Sequence, residues 1–175
     1  MPEFASSKTL LRVSTAKKSL IDGWKEGRHL ETNSGRDLPS LVERATSDRL
    51  LFAVALLRDA ETLAARNPPQ YRASISRSYY AMYHAMRAAV YFAHGGDDHQ
   101  EHKALPAQAP ADMTARDDWS NKLKDARERR NAADYDPYPK SDTAWRKRAE
   151  ALIPEARGLI RVVRAYLRLK GCRFV

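Results

Sequence analysis

The stretch YRASISRSYYAMYHAMRAAVYFA, residues 71–93, decides the fold. It lies between the stop Asn67-Pro68-Pro69 and the pair Gly95-Gly96, and it reads as one helix from about Tyr71 to Ala93. Proline ends the preceding segment because it lacks a backbone N–H and clashes with the turn before it. Glycine supplies the left-handed residue that closes a helix. The rest of the chain has the same character. Ala, Leu and Arg dominate, β-branched residues are sparse and glycines number only 7 of 175 residues, so the fold class is all-α.

Upstream, Asp37-Leu38-Pro39-Ser40 is a helix start, and Leu41, Val42, Ala45, Leu50, Phe52, Val54, Leu57, Ala60, Leu63 and Ala64 carry one long apolar face. Before it, roughly Ser7–Glu26 places Leu10, Leu11, Val13, Ala16, Leu20, Ile21 and Trp24 at helical spacing, with Gly27 and Thr32-Asn33-Ser34-Gly35 as breakers. Downstream, Asp97–Asp112 is polar, contains two prolines and reads as a loop. A helix over about Thr114–Ala133 follows, stopped by Tyr135-Asp136-Pro137-Tyr138-Pro139. Ser141 or Asp142 caps a last helix that reaches Lys170 before Gly171, and Pro154 inside it is expected to bend or divide it. Residues 1–40 form an extension, expected to be helical, ahead of a domain over 41–175.

Hydrophobic residues make up 43% and charged residues 30%, enough for a packed core. No apolar run approaches the ~18 residues needed to span a bilayer. The N-terminus lacks the pattern of a secretory signal, and one cysteine, Cys172, allows neither an internal disulfide nor a cysteine cage; a reducing cytoplasm fits. Net charge is +9, and residues 140–175 hold 10 basic residues against 3 acidic ones. A polyanion is the natural partner for such an excess, and a solvated basic face is the plain alternative.

Three sets of residues bear chemistry. On the decisive helix, Arg77, Tyr80, His84, Arg87 and Tyr91 share one stripe. Guanidiniums, an imidazole and phenols in a row can bind phosphate and stack a base; tyrosines also fill gaps between helices while arginines sit at the rim. The segment Arg127-Glu128-Arg129-Arg130-Asn131-Ala132-Ala133-Asp134-Tyr135 offers arginine forks suited to phosphate, with Asn131 and Asp134 to orient them; it also suits the dipole at a helix C-terminus. On the last helix Arg157, Arg161, Arg164 and Arg168 form a basic stripe that could track a nucleic-acid backbone or meet an acidic protein. His94, His99 and His102 cluster among acidic residues, but their spacing matches no metal motif, so no metal and no cofactor is expected.

Taken together, Ser76-Arg77-Ser78-Tyr79-Tyr80-Ala81-Met82-Tyr83-His84-Ala85 and, some way on, Arg130-Asn131-Ala132-Ala133-Asp134-Tyr135 resemble the HEPN family, over about residues 45–170. The resemblance implies an up-and-down bundle of four to five helices that forms a homodimer, with the arginine motifs of two subunits facing one cleft. It implies metal-independent endoribonuclease activity of a toxin-like kind, on RNA, tRNA included, with a small nucleotidyltransferase as antitoxin partner. Arg130 would hold the scissile phosphate and Asn131 and Asp134 would position it. Arg77, Tyr80, Arg87, Arg127, Arg157, Arg161, Arg164 and Arg168 would contact RNA or nucleotide. Family members place a histidine four to six residues after the motif arginine and its polar neighbour. Tyr135 stands there in this chain, and no histidine follows His102. A phenol, with a pKa near about 10, is a poor base at neutral pH. Either Tyr135 or, reaching across space, His84 would then move protons. The alternative implied by the lost histidine is a non-catalytic module that binds RNA, nucleotide or a partner. In some relatives a motif tyrosine accepts a nucleotide from the transferase, and Tyr135 and Tyr138 are the candidates here.

Overall fold

A computed structural model describes residues 6–175; residues 1–5, the start of the expected extension, lie outside them. The chain divides into a unit ending at Leu41 and a second unit, Val42–Val175. Every regular element among the described residues is helical: α1 (Ser7–Ser14), α2 (Lys18–Ser34), α3 (Leu38–Ala65), α4 (Tyr71–His94), a 3-10 turn (Leu105–Gln108), α5 (Arg116–Tyr135) and α6 (Asp142–Leu169). Among the described residues, no helix is long and apolar enough to cross a membrane.

The first unit differs from the expected single helix over Ser7–Glu26. That segment is two helices, split at Thr15–Lys17. The hydroxyls of Ser14 and Thr15 both donate to the Leu11 carbonyl at 2.9 Å, giving the backbone a local alternative to another helical turn. Gly27 does not stop α2, since an interior glycine costs a helix only about 1 kcal/mol. The stop comes at Gly35, whose φ of 64° puts it in the left-handed region.

In the second unit α4 is the central element. Twelve of its 24 residues are buried, and it packs against both α5 and α6. Ala81, Ala85, Ala88 and Ala89 are fully buried, and small side chains there let neighbouring helices approach closely. The Ser74 hydroxyl, also buried, donates to the Ala60 carbonyl of α3 at 2.7 Å. Leu152, Ala156, Leu159, Val163 and Leu167 form the buried face of α6. Pro154 neither ends nor divides α6, which runs unbroken to Leu169. It sits on the exposed side, as does Glu150, whose carbonyl the proline leaves without a helical donor.

The expected loop Asp97–Asp112 contains the 3-10 turn, whose Pro106 carbonyl accepts from the buried Ser120 hydroxyl of α5 at 2.7 Å. Past α6 the chain turns at Gly171, φ 85°, and the Ser47 hydroxyl donates to the Phe174 carbonyl at 2.7 Å. These contacts tie the start of α5 to the 3-10 turn and the residues after α6 to α3.

Ser78, on α4, is fully buried, and its hydroxyl has no hydrogen-bond partner among the described residues. An unpaired buried polar group costs on the order of 1–3 kcal/mol. Ser78→Ala removes the hydroxyl and adds helix propensity, so it is expected to raise stability by about 1 kcal/mol, read as a higher urea midpoint with unchanged slope.

Candidate functional site

The last two turns of α5 carry the arginine motif, and a single residue of α4 holds their end in place. Arg72 donates to the Ala133 carbonyl at 2.7 Å and to the Asp136 carbonyl at 2.6 Å. A cation on these terminal carbonyls satisfies acceptors that have no helical donor and complements the helix dipole. The guanidinium of Arg72 lies 4.6 Å from the ring centre of Trp145, as does that of Arg148. Trp145 is buried and donates from its indole to the Pro139 carbonyl at 2.7 Å.

Arg130 points from this anchored turn toward α4. Its Nη2 donates to the Tyr80 hydroxyl at 2.6 Å and its Nη1 to Asn131 Oδ1 at 3.0 Å. A carboxylate oxygen of Asp134 sits 2.8 Å from Nε, but off the N–H direction, so Nε is buried without an aligned acceptor. The rings of Tyr80 and Tyr135 lie 5.3 and 5.7 Å from the guanidinium carbon. Burial works against the Arg130 charge, but Tyr80, Asp134 and Tyr135 outweigh it and hold its pKa above the ordinary value. Asp134 in turn accepts a long hydrogen bond, 3.4 Å, from the Ser76 hydroxyl.

The segment between α4 and α5 is laced to α4 by three side chains spaced four apart. The Tyr79 hydroxyl is 2.6 Å from His102 Nδ1, the Tyr83 hydroxyl donates to the Gln100 carbonyl at 2.5 Å, and Arg87 forks onto the Asp97 carboxylate with Nε–Oδ1 2.8 Å. Arg49 of α3 also donates to Asp97, at 2.9 Å. The hydrogen bonds from Arg87, with both guanidiniums beside it, hold the Asp97 carboxyl below its usual range. The His102 ring stacks on Tyr83, with centroids 4.0 Å apart and planes 16° from parallel.

These elements form an open-mouthed cavity of about 390 Å³ lined by Tyr79, His102, Arg127, Arg130, Asn131 and Tyr135. Arg127 carries no salt bridge among the described residues. Burial, then the nearby Arg130, Arg127 and Arg87, lower the His102 pKa, so the ring is neutral at pH 7. Burial pushes the Tyr79 phenol up to about 12, so it stays protonated. The cavity thus combines two guanidiniums, an amide, two phenols and a neutral imidazole.

The structure brings together Arg127, Arg130, Asn131, Asp134, Tyr135 and Tyr80 from the sequence reading. Other residues go elsewhere. Tyr80, His84, Arg87 and Tyr91 lie half-buried and Arg77 exposed, so between Arg77 and Tyr91 the stripe is the open line of the helix. Arg87 is engaged by Asp97 and Gln100. His84 does not line the cavity; its ring meets Phe52 edge-on at 4.7 Å and Tyr83 at 5.0 Å. On α6, Arg157 pairs with Glu61 at 2.5 Å and Arg168 donates to the Val175 carbonyl at 2.9 Å, and none of the four stripe arginines lines the cavity. His94 and His99 contact one another at 4.8 Å, away from His102, and no group of three His, Cys, Asp or Glu among the described residues could hold a metal ion.

Sequence reading missed His102, Tyr79 and Arg72 as parts of the site. The spacing of Tyr79, Tyr83 and Arg87 was visible, but the residues they hold come from an irregular segment with no periodicity to read.

An all-helical unit with paired tyrosines on a central helix and an arginine motif closing the next defines a class of small helical domains. The model of the HEPN domain matches residues 46–166, and the chain belongs to the HEPN family. A comparison with curated proteins finds no match.

Burial, with Arg87, Arg49 and His102 nearby, pulls the His84 pKa from 6.5 down to about 4. The folded value lies below the unfolded one, so stability is lost as pH falls through this window. Unfolding by urea at pH 7 and pH 4 should show a loss from this ring of at most about 3 kcal/mol. His84→Gln should flatten the dependence, and an unchanged slope would reject the assignment.

Proposed function

We propose that this chain is a metal-independent endoribonuclease of the toxin-like HEPN kind, acting on RNA. The observation that carries the reading is the convergence of Arg127 and Arg130 on one cavity that also holds an imidazole. The scissile phosphate sits against the two guanidiniums, Arg130 held in register by Tyr80 and Asn131. Asp134 restrains Arg130 until the phosphate arrives, and Tyr135, 73% exposed at the mouth, meets the flanking nucleotide. Two guanidiniums stabilise the negative charge that develops on the non-bridging phosphate oxygens.

The family resemblance supplies the setting: a toxin–antitoxin or defence role, a homodimer bringing two such sites into one cleft, and a nucleotidyltransferase as the neutralising partner. A second reading, a module that binds RNA or nucleotide without cleaving it, is favoured by one observation: the position five after Arg130 holds an exposed phenol, not an imidazole.

The test is cleavage of total RNA and tRNA in EDTA, wild type beside Arg130→Ala. Fragments from the wild type alone are expected, with the variant slower by roughly 10²–10³-fold. Expression of the wild type should arrest growth, and Arg130→Ala should relieve the arrest. RNA binding that weakens steeply with salt and produces no fragments would move the chain to the binding module.

A further inference from the structure

The reaction proposed above needs a base, and the cavity wall holds a neutral imidazole that the arginine motif does not contain. His102 is tied at Nδ1 to the Tyr79 hydroxyl, 2.6 Å away, and its ring is stacked on Tyr83, so its orientation is set by two residues of α4. Nδ1 being occupied, Nε2 is the nitrogen left for substrate. Resting on the ribonuclease reading, we propose that His102 is the general base of the reaction and Tyr79 its positioning residue.

In the tautomer this requires, Nδ1–H donates to the Tyr79 oxygen and Nε2 carries the lone pair. Nε2 takes the 2′-hydroxyl proton. The 2′ oxygen forms its bond to phosphorus as the bond from phosphorus to the 5′ oxygen breaks, and the departing oxygen takes a proton from water. The imidazolium returns its proton to solvent, leaving a 2′,3′-cyclic phosphate and a 5′-hydroxyl with no atom or charge unaccounted for. Burial, then Arg130 and Arg127 from α5 and Arg87 from α4, set the ring's titration; Tyr79, Tyr80 and Tyr83 of α4 also face the ring, and Glu101 and Lys103 are its neighbours in the chain. The three guanidiniums disfavour the imidazolium, which keeps the base free at neutral pH and returns its proton readily afterwards. Asp97 and Gln100, held by Arg87 and Tyr83, keep the segment that carries the base against α4.

Single-turnover cleavage of a short RNA and binding of its fully 2′-O-methylated, uncleavable form separate the roles. His102→Ala and His102→Gln are each expected to lower the cleavage rate by about 10²–10⁴-fold while binding stays within threefold. Free imidazole should raise the His102→Ala rate at least tenfold and leave Arg130→Ala unchanged. The wild-type rate should fall on acidification below the ordinary histidine value of 6.5, a limb absent from both His102 variants. Tyr79→Phe should slow cleavage with little change in binding. An active wild type beside His102 variants cleaving within threefold of it overturns this inference and leaves the ribonuclease reading standing. Loss of both binding and rescue in folded His102→Ala assigns the ring to structure and also overturns it. A wild type that cleaves no RNA overturns the ribonuclease reading, and this inference with it.

Discussion

The lacing of residues 97–102 onto α4 is the constraint on which the site depends. Tyr79, Tyr83 and Arg87 lie on one line of α4, and each holds one point of the segment: His102, Gln100 and Asp97 in turn. Residues four apart on a helix stack along one face, so a rigid element imposes its regular spacing on an irregular one. Asp97 has two guanidiniums on it, from α3 and α4, and therefore anchors the segment to both helices. Charge-assisted forks of this kind are stronger than neutral hydrogen bonds, and partial burial limits screening by salt. Without these ties the segment would be a polar loop, and the wall of the cavity opposite Arg130 would not exist.

Arg130 is held by several partners and yet suits an anion. Tyr80 and Asn131 occupy its two terminal nitrogens with neutral acceptors, which cost little to share with a phosphate. Asp134 supplies the one carboxylate beside it, misaligned with the Nε–H and bonded to Ser76 only at 3.4 Å. A guanidinium part-buried without any counter-charge would be costly, and one locked in an ideal bidentate pair would have no capacity left. The observed geometry lies between these limits. It stabilises the charge while leaving Nε without an aligned acceptor. Arg127, one turn earlier on α5, adds a second cation to the same cavity.

Much of the architecture was legible because proline and glycine mark its boundaries. Asn67-Pro68-Pro69, Gly95 and Gly171 bracket helices where local chemistry alone ends them. The first unit was less legible: the break at Thr15 depends on hydroxyls bonding back to Leu11, and Ser and Thr at other positions leave helices intact. Of the two outcomes expected at Pro154, division does not occur: the proline is exposed and α6 continues through it to Leu169. At the site, Arg130, Asn131 and Asp134 were legible because they lie within two turns of one helix. His102 was not, because its partners Tyr79 and Tyr83 are brought to it across 23 residues or fewer by a segment with no repeating pattern.

The C-terminal charge excess takes on a different meaning once its partners are known. Arg157 is neutralised by Glu61, Arg173 by Glu43 and Lys170 by Asp112, while Arg168 is bonded to the last carbonyl of the chain. These cations fasten α6 and the residues after it to the rest of the unit, and the stripe is no uninterrupted track. The net charge of +9 remains all the same, because each acid engaged here is already counted in it. A net positive field raises the rate at which a polyanion arrives without dictating where it settles. Arrival therefore belongs to the whole surface, with Lys147 and Arg161 among its exposed cations on α6. Placement belongs to the cavity, where a phosphate meets cations fixed in direction.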